Sequence, residues 1–179
     1  MKIIRNSLKN KLNLRTEKDY PTKGVEFIDI NPLVIQKETL SEIISLFVEY
    51  LKGTKIDYIV APESRGFLFA SAVAKELNCG CVPVRKKGKL PPSTIVKSFE
   101  YEKEYGKDIL ELPALVNKSY KNKKVFIIDD IYATGNTVRS IKEAITELGG
   151  KVIGVGAVIN ILELNNDEEV FSLIDINEE

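Results

Sequence analysis

The 179-residue chain contains no histidine and no tryptophan, one methionine and only two cysteines. Without imidazole, a Ser-His-Asp triad and most zinc sites are excluded. Two cysteines cannot build the disulfide framework of a small secreted domain. Cys79 and Cys81 stand one residue apart and would face opposite sides of a strand, so they read as packing residues rather than redox or metal groups. Net charge is missing too. The 26 basic and 26 acidic residues cancel, and no global field draws the chain to nucleic acid or to a membrane surface. No apolar run reaches membrane-spanning length, and the opening "MKIIRNSLKN" lacks the apolar core of a signal peptide. The expectation is a cytoplasmic protein with neither nucleic-acid nor membrane partners.

What is present fits one α/β domain over residues 1–179, long enough to bury a core unaided. "TLSEIISLFVEYLK" (39–52) sets Ile43, Ile44, Phe47, Val48 and Leu51 on one helical face, and Gly53 stops it. Short apolar runs at 55–61, 79–84, 123–130 and 151–160 read as strands, with helices at 65–77 and from about Thr137 to Leu148. Strands alternating with helices predict a mainly parallel sheet covered on both faces, with ligands beyond the carboxyl ends of its strands. Residues 85–111 break the pattern. They are polar and proline-bearing, with weak alternation in "STIVKSFEY", and read as a two-stranded flap separate from the sheet. "VFSLIDI" near the end reads as an edge strand.

The most informative stretch is "VFIIDDIYATGNT" (125–137). Asp129 and Asp130 close a run of four apolar residues. Pleat alternation sends their side chains apart, an arrangement expected to leave both ionised. Ala133, Thr134, Gly135, Asn136 and Thr137 then form a small-residue loop opening directly into a helix, whose first N–H groups suit a phosphate. Carboxylates beside a phosphate cradle suit a ribose phosphate. A plain strand end and turn with solvated acids remains the alternative. Neither a Walker loop nor a dinucleotide fingerprint is present. Arg65, after "PES", offers a fork for a diphosphate or is a surface residue. Arg85, Lys86, Lys87 and Lys89 are too short and isolated for a nucleic-acid patch; they form an anion clamp or a solvated run.

The 125–137 motif resembles the phosphoribosyl-diphosphate (PRPP) binding motif of type I phosphoribosyltransferases. Three further segments resemble the adenine phosphoribosyltransferase branch: "DYPTKGVEFIDINPLV" (19–34, within an N-terminal purine-pocket segment 1–36), "APESRGFLFA" (61–70), and "VPVRKKGKLP" with "EYGKDILEL" (82–91 and 104–112). The resemblance implies transfer of a phosphoribosyl group from PRPP to adenine, giving AMP and diphosphate. Mg²⁺ would be carried on the diphosphate, the chain would form a homodimer, and no metal cage would be needed. It further implies that Asp129 and Asp130 hold ribose hydroxyls and that residues 133–137 hold the 5′-phosphate. Glu63, Ser64 and Arg65 form the diphosphate loop, with a cis peptide between Glu63 and Ser64. Arg85, Lys86 and Lys89 clamp the diphosphate, and such an arginine can reach across a dimer. Glu104 is implied as the general acid/base near N7 of the purine, with Tyr105 packed over the reacting pair.

This sequence departs from the family where Asn136 replaces a second loop glycine and where "EFID" (26–29) replaces an apolar residue followed by "FRD". Phe27 can still stack on a purine and the Ile28 backbone can still touch it, while Glu26 adds an acceptor. Leu164 matches a wall of the base pocket. The rival readings are the same transfer to hypoxanthine, guanine or xanthine, a PRPP- or purine-sensing regulator without catalysis, and a structural α/β domain.

Overall fold

A computed structural model describes residues 14–20, 23–24, 26–103, 106–116, 119–165 and 169–176. Its elements in chain order are β1 (Arg15–Lys18), β2 (Glu26–Asp29), α1 (Asn31–Ile35), α2 (Lys37–Leu51), β3 (Tyr58–Pro62), α3 (Gly66–Glu76), β4 (Gly80–Lys86), β5 (Ile95–Lys103), β6 (Gly106–Pro113), β7 (Lys124–Tyr132), α4 (Asn136–Glu147), β8 (Lys151–Ile161) and β9 (Val170–Ile176). Seven strands form one sheet in the order β5-β6-β4-β3-β7-β8-β9, and β1 pairs with β2 in a separate ribbon. The neighbours β4, β3, β7, β8 and β9 run parallel. "VFSLIDI" is indeed an edge strand.

The pleat explains both cores. Along β7, Phe126 and Ile128 point to one face, where they join Ile59 and Ala61 of β3 under α1, α2 and α3. Val125 and Ile127 point to the other face and meet Val60, Val82 and the Val138/Ile141/Ile145 stripe of α4. Ile43, Phe47 and Leu51 of α2 are buried as its periodicity requires. Gly53 sits at φ 79°, the left-handed conformation that ends such a helix. Strand β8 carries Gly154 and Gly156 where the Phe126 and Phe47 rings come close to its backbone. A Cβ on Gly156 would stand 2.6 Å from Phe47 Cε1.

The 85–111 excursion differs from the expectation. Strands β5 and β6 do pair as a hairpin, but β6 also bonds to β4, with Arg85 opposite Glu111 and Lys86 opposite Leu110. The flap therefore extends the sheet. The reason is apolar: Tyr101, Leu110 and Leu112 enter the core under α4, which the weak sequence alternation concealed. An ion pair from Lys97 to Glu147 adds a tie between β5 and α4.

Candidate active site

The site is built on unequal strand lengths. Strand β3 pairs with β7 only over Tyr58–Val60 and Val125–Ile127, whereas β7 continues against β8 as far as Tyr132. Asp129 and Asp130 thus lie inside β7, just before its end, flanking the gap where α3 begins. Strict alternation lapses here, since Ile128 and Ile131 pack in the same cluster, and Asp129 Oδ1 comes close to Gly66 at the start of α3.

Arg65 stands at the start of α3. Its Nε lies 2.6 Å from Asp130 Oδ2, and its Cζ lies 5.7 Å from the centre of the Phe27 ring. One guanidinium thus joins the candidate sugar-binding acid to the candidate base platform. Asp130 is almost fully buried, and its Oδ2 has that charge partner but no aligned hydrogen bond. Asp129 Oδ1 accepts the Asp130 N–H at 2.9 Å.

The Asp129 carboxyl is harder to ionise than the sequence expectation has it. Burial, and next the charge of Asp130, push the Asp129 carboxyl well above the ordinary range; the Asp130 N–H and Arg65 oppose this only in part. The two side chains are not sent apart as alternation predicts: the Asp129 carboxyl is within hydrogen-bond reach of the Asp130 side chain. Asp129 is half-buried, and α3 starts so close that a Cβ on Gly66 would sit 3.3 Å from its Oδ1.

The Glu63–Ser64 peptide is cis, where the resemblance locates it. The Glu63 carboxylate accepts Arg85 Nε at 3.0 Å and the Lys86 N–H at 2.8 Å. Burial acts to raise its pKa, but those two hydrogen bonds and the charges of Arg85 and Lys86 outweigh it and hold the carboxyl below its usual value. Arg85 also lies 5.9 Å over the Phe67 ring. Ser64, Lys86 and Lys89 are exposed around this pair. The turn bearing the lysines is held by the Lys89 N–H on Lys86 O and by the Gly88 N–H on Glu111 Oε2. Glu111, buried on β6, is a supporting residue that sequence reading missed.

The loop after β7 turns as predicted. Gly135 adopts φ 77° as the N-cap of α4, and a Cβ there would meet Tyr132 Oη at 2.3 Å. Thr134 and Thr137 are half-buried beside it. The Asn136 N–H reaches Thr134 Oγ1 at 3.5 Å. Two unforeseen side chains grip this loop. Arg139 Nη2 donates to Thr134 O at 2.7 Å and to Asn136 Oδ1 at 2.6 Å. Asn165 Nδ2 donates to Ala133 O at 2.7 Å. Their backbone-directed bonds leave no motif, although Arg139 follows Asn136 by the three-residue spacing at which helical side chains meet.

Of the base-pocket candidates, Phe27 is half-buried and meets Tyr20 edge-on, centroids 5.2 Å apart at 80°. The Ile28 side chain is buried in the core, so it cannot line a pocket as an arginine would. Leu164 lies on the turn after β8 and packs against the same core cluster as Ile28. Glu26 is exposed. Glu104 and Tyr105 lie outside the described residues. Among the described residues, no three His, Cys, Asp or Glu side chains are grouped to hold a metal, and no helix is long and apolar enough to cross a membrane.

The comparisons agree with this geometry. The family described as phosphoribosyl transferase domain matches residues 31–176. The adenine phosphoribosyltransferase of Clostridium novyi (strain NT) is 43% identical over 160 residues, covering 89% of this chain and 91% of that protein. Among solved structures, adenine phosphoribosyltransferase from Thermoanaerobacter pseudethanolicus superposes with a TM-score of 0.85 at 36% identity, covering 94% of this chain and 99% of that one. The Saccharomyces cerevisiae enzyme, solved with adenine and D-2,5-dideoxy-2,5-imino-altritol 1,6-bisphosphate, gives 0.79 at 34%, covering 93% and 97%. This chain belongs to the phosphoribosyltransferases and, among them, to the adenine phosphoribosyltransferase family.

Proposed function

We propose that the protein transfers the 5-phosphoribosyl group of PRPP to adenine, producing AMP and diphosphate. The observation that carries this reading is the buried Asp130, one oxygen without an aligned hydrogen bond, placed between Arg65 and the loop that opens α4. Such an oxygen suits a ligand hydroxyl or a hard cation. Asp129 and Asp130 accept from the ribose hydroxyls, and the amides of 134–137 with the hydroxyls of Thr134 and Thr137 hold the 5′-phosphate. Ser64, the outer nitrogens of Arg65, and Arg85, Lys86 and Lys89 receive the diphosphate, with Glu63 holding Arg85 in place. Adenine stacks on Phe27 against Leu164, with the Ile28 backbone at its edge.

In the reaction the bond from the anomeric carbon to the diphosphate oxygen breaks, its electron pair leaving with diphosphate. A purine ring nitrogen bonds to the same carbon. The intervening state is oxocarbenium-like, so the side chains above act chiefly by orienting both reactants and stabilising the departing anion. Glu104 serves as the general acid/base at the purine, with Tyr105 shielding it from water. Phosphoribosyltransferases generally use PRPP with Mg²⁺. Two neighbouring carboxylates, one with an oxygen lacking an aligned hydrogen bond, fit a hard cation that arrives on the substrate. Bound there, Mg²⁺ would neutralise charge on the diphosphate. We further infer a cytoplasmic homodimer.

A spectrophotometric assay of adenine, hypoxanthine, guanine and xanthine with PRPP and Mg²⁺ tests the reading. Turnover with adenine alone is expected. Preference for another purine would locate the error in "EFID", and PRPP binding without any turnover would favour a sensor. Glu104→Ala is expected to lower kcat far more than it weakens PRPP binding; unchanged kcat would remove Glu104 from its role.

A further inference from the structure

The loop at 133–137 is gripped from outside by two side chains that no part of the reaction above uses. Asn165 Nδ2 lies 2.7 Å from Ala133 O, and the same nitrogen reaches Asn160 Oδ1 at 3.0 Å and Ile161 O at 2.9 Å. Arg139 Nη2 lies 2.7 Å from Thr134 O, the next carbonyl along, and 2.6 Å from Asn136 Oδ1. A trans peptide is planar, with its C=O and N–H pointing in opposite directions. Fixing Ala133 O on Asn165 therefore turns the Thr134 N–H away from Asn165. Fixing Thr134 O on Arg139 turns the Gly135 N–H away from Arg139.

The charge arrangement supports a ligand-directed role. Helix α4 has no acidic residue in its first turn, where one would favour the dipole, and the Arg139 guanidinium folds back on that turn instead. A cation there opposes the helix dipole unless an anion is also present. We propose that Asn165 and Arg139 are positioning residues that aim two consecutive loop amides at the phosphate of PRPP. This rests on the reading that the loop seats that phosphate. Asn165 adjoins Leu164, so the same side chain ties the phosphate loop after β7 to the base-pocket wall after β8.

Calorimetric titration with PRPP, alongside steady-state kinetics, tests the proposal on the wild type, Asn165→Ala, Arg139→Met and Arg139→Lys. Losing one such bond is expected to raise the Kd for PRPP about three- to tenfold in Asn165→Ala and Arg139→Met. KM for PRPP should rise by more than kcat falls, and Arg139→Lys, which can still donate to Thr134 O, should recover part of the loss. A purely structural role would instead lower Tm and move the constants for PRPP and adenine together. A Kd within about twofold of wild type in both truncations overturns the proposal. Arg139 is exposed and borders a cavity of about 250 Å³ with Tyr132 and Lys142, so Arg139→Met keeps the test available if Asn165→Ala does not fold. Failure of the wild type to bind PRPP is a separate result, needing no variant, and would refute the phosphate-site reading itself.

Discussion

Replacing Asp129 by asparagine should make the unliganded protein more stable while damaging its function. Asparagine has nearly the shape of aspartate, and its carbonyl oxygen can still accept the Asp130 N–H, 2.9 Å away in the native chain. What disappears is one of two adjacent acidic groups in a partly buried place. The Asp129 carboxyl is held well above its ordinary value of 3.8, first by burial and then by Asp130. The folded state therefore binds this proton more tightly than the unfolded chain does. As pH rises from the unfolded value, wild-type stability falls until pH passes the folded value, and beyond that the penalty is constant. The amide of Asp129→Asn has no proton to lose, so the advantage of the variant is small in acid and grows as pH rises above the ordinary carboxylate range. Relief of a functional-site conflict of this type yields about 0.5–2 kcal/mol. For a chain of this length that is about 1–8 °C in Tm. Scanning calorimetry across pH 4–8 measures it, and titration with PRPP should show binding weakened roughly tenfold or more through loss of a charged acceptor. A Tm at pH 8 equal to or below wild type, or an advantage that shrinks as pH rises, would refute the electrostatic account.

Two glycine substitutions separate site from scaffold. Gly135→Ala puts a Cβ 2.3 Å from the buried Tyr132 hydroxyl at φ 77°. It should cost about 1–3 kcal/mol and raise KM for PRPP, seen by calorimetry and initial rates; an unchanged KM would mean that the loop does not seat the phosphate. Gly156→Ala forces a Cβ to 2.6 Å from Phe47 Cε1 in the core. It should lower Tm by about 2–12 °C for about 1–3 kcal/mol, with KM values close to wild type. A Tm within about 1 °C of wild type would show that the aromatic layer between α2 and β8 is loosely packed.

How far the sequence revealed this depends on what kind of bond each residue makes. The parallel strands were legible because burial on both faces gives continuous apolar runs such as Val125–Ile128, and α2 because Ile43, Phe47 and Leu51 recur at the helical period. The acid pair and Gly135 were legible because few structural demands call for two carboxylates or a left-handed turn at a strand's end. The attachment of the flap was not, since β6 joins the sheet through Arg85 opposite Glu111, residues whose charge argues for solvent, and only the three-dimensional packing of Tyr101, Leu110 and Leu112 reverses that. The ionisation of Asp129 was misjudged for a related reason. Alternation describes where a side chain leaves its own strand, whereas burial and the neighbouring Asp130 carboxyl decide how readily Asp129 ionises, and the burial depends on elements far away in sequence such as the start of α3. Asn165 and Arg139 lay deeper still, because both act on backbone carbonyls, which every residue carries. A donor recognising a main-chain oxygen leaves no complementary letter in the chain, so the motif supplies the amides facing the phosphate while the side chains holding those amides become visible only once the loop is built.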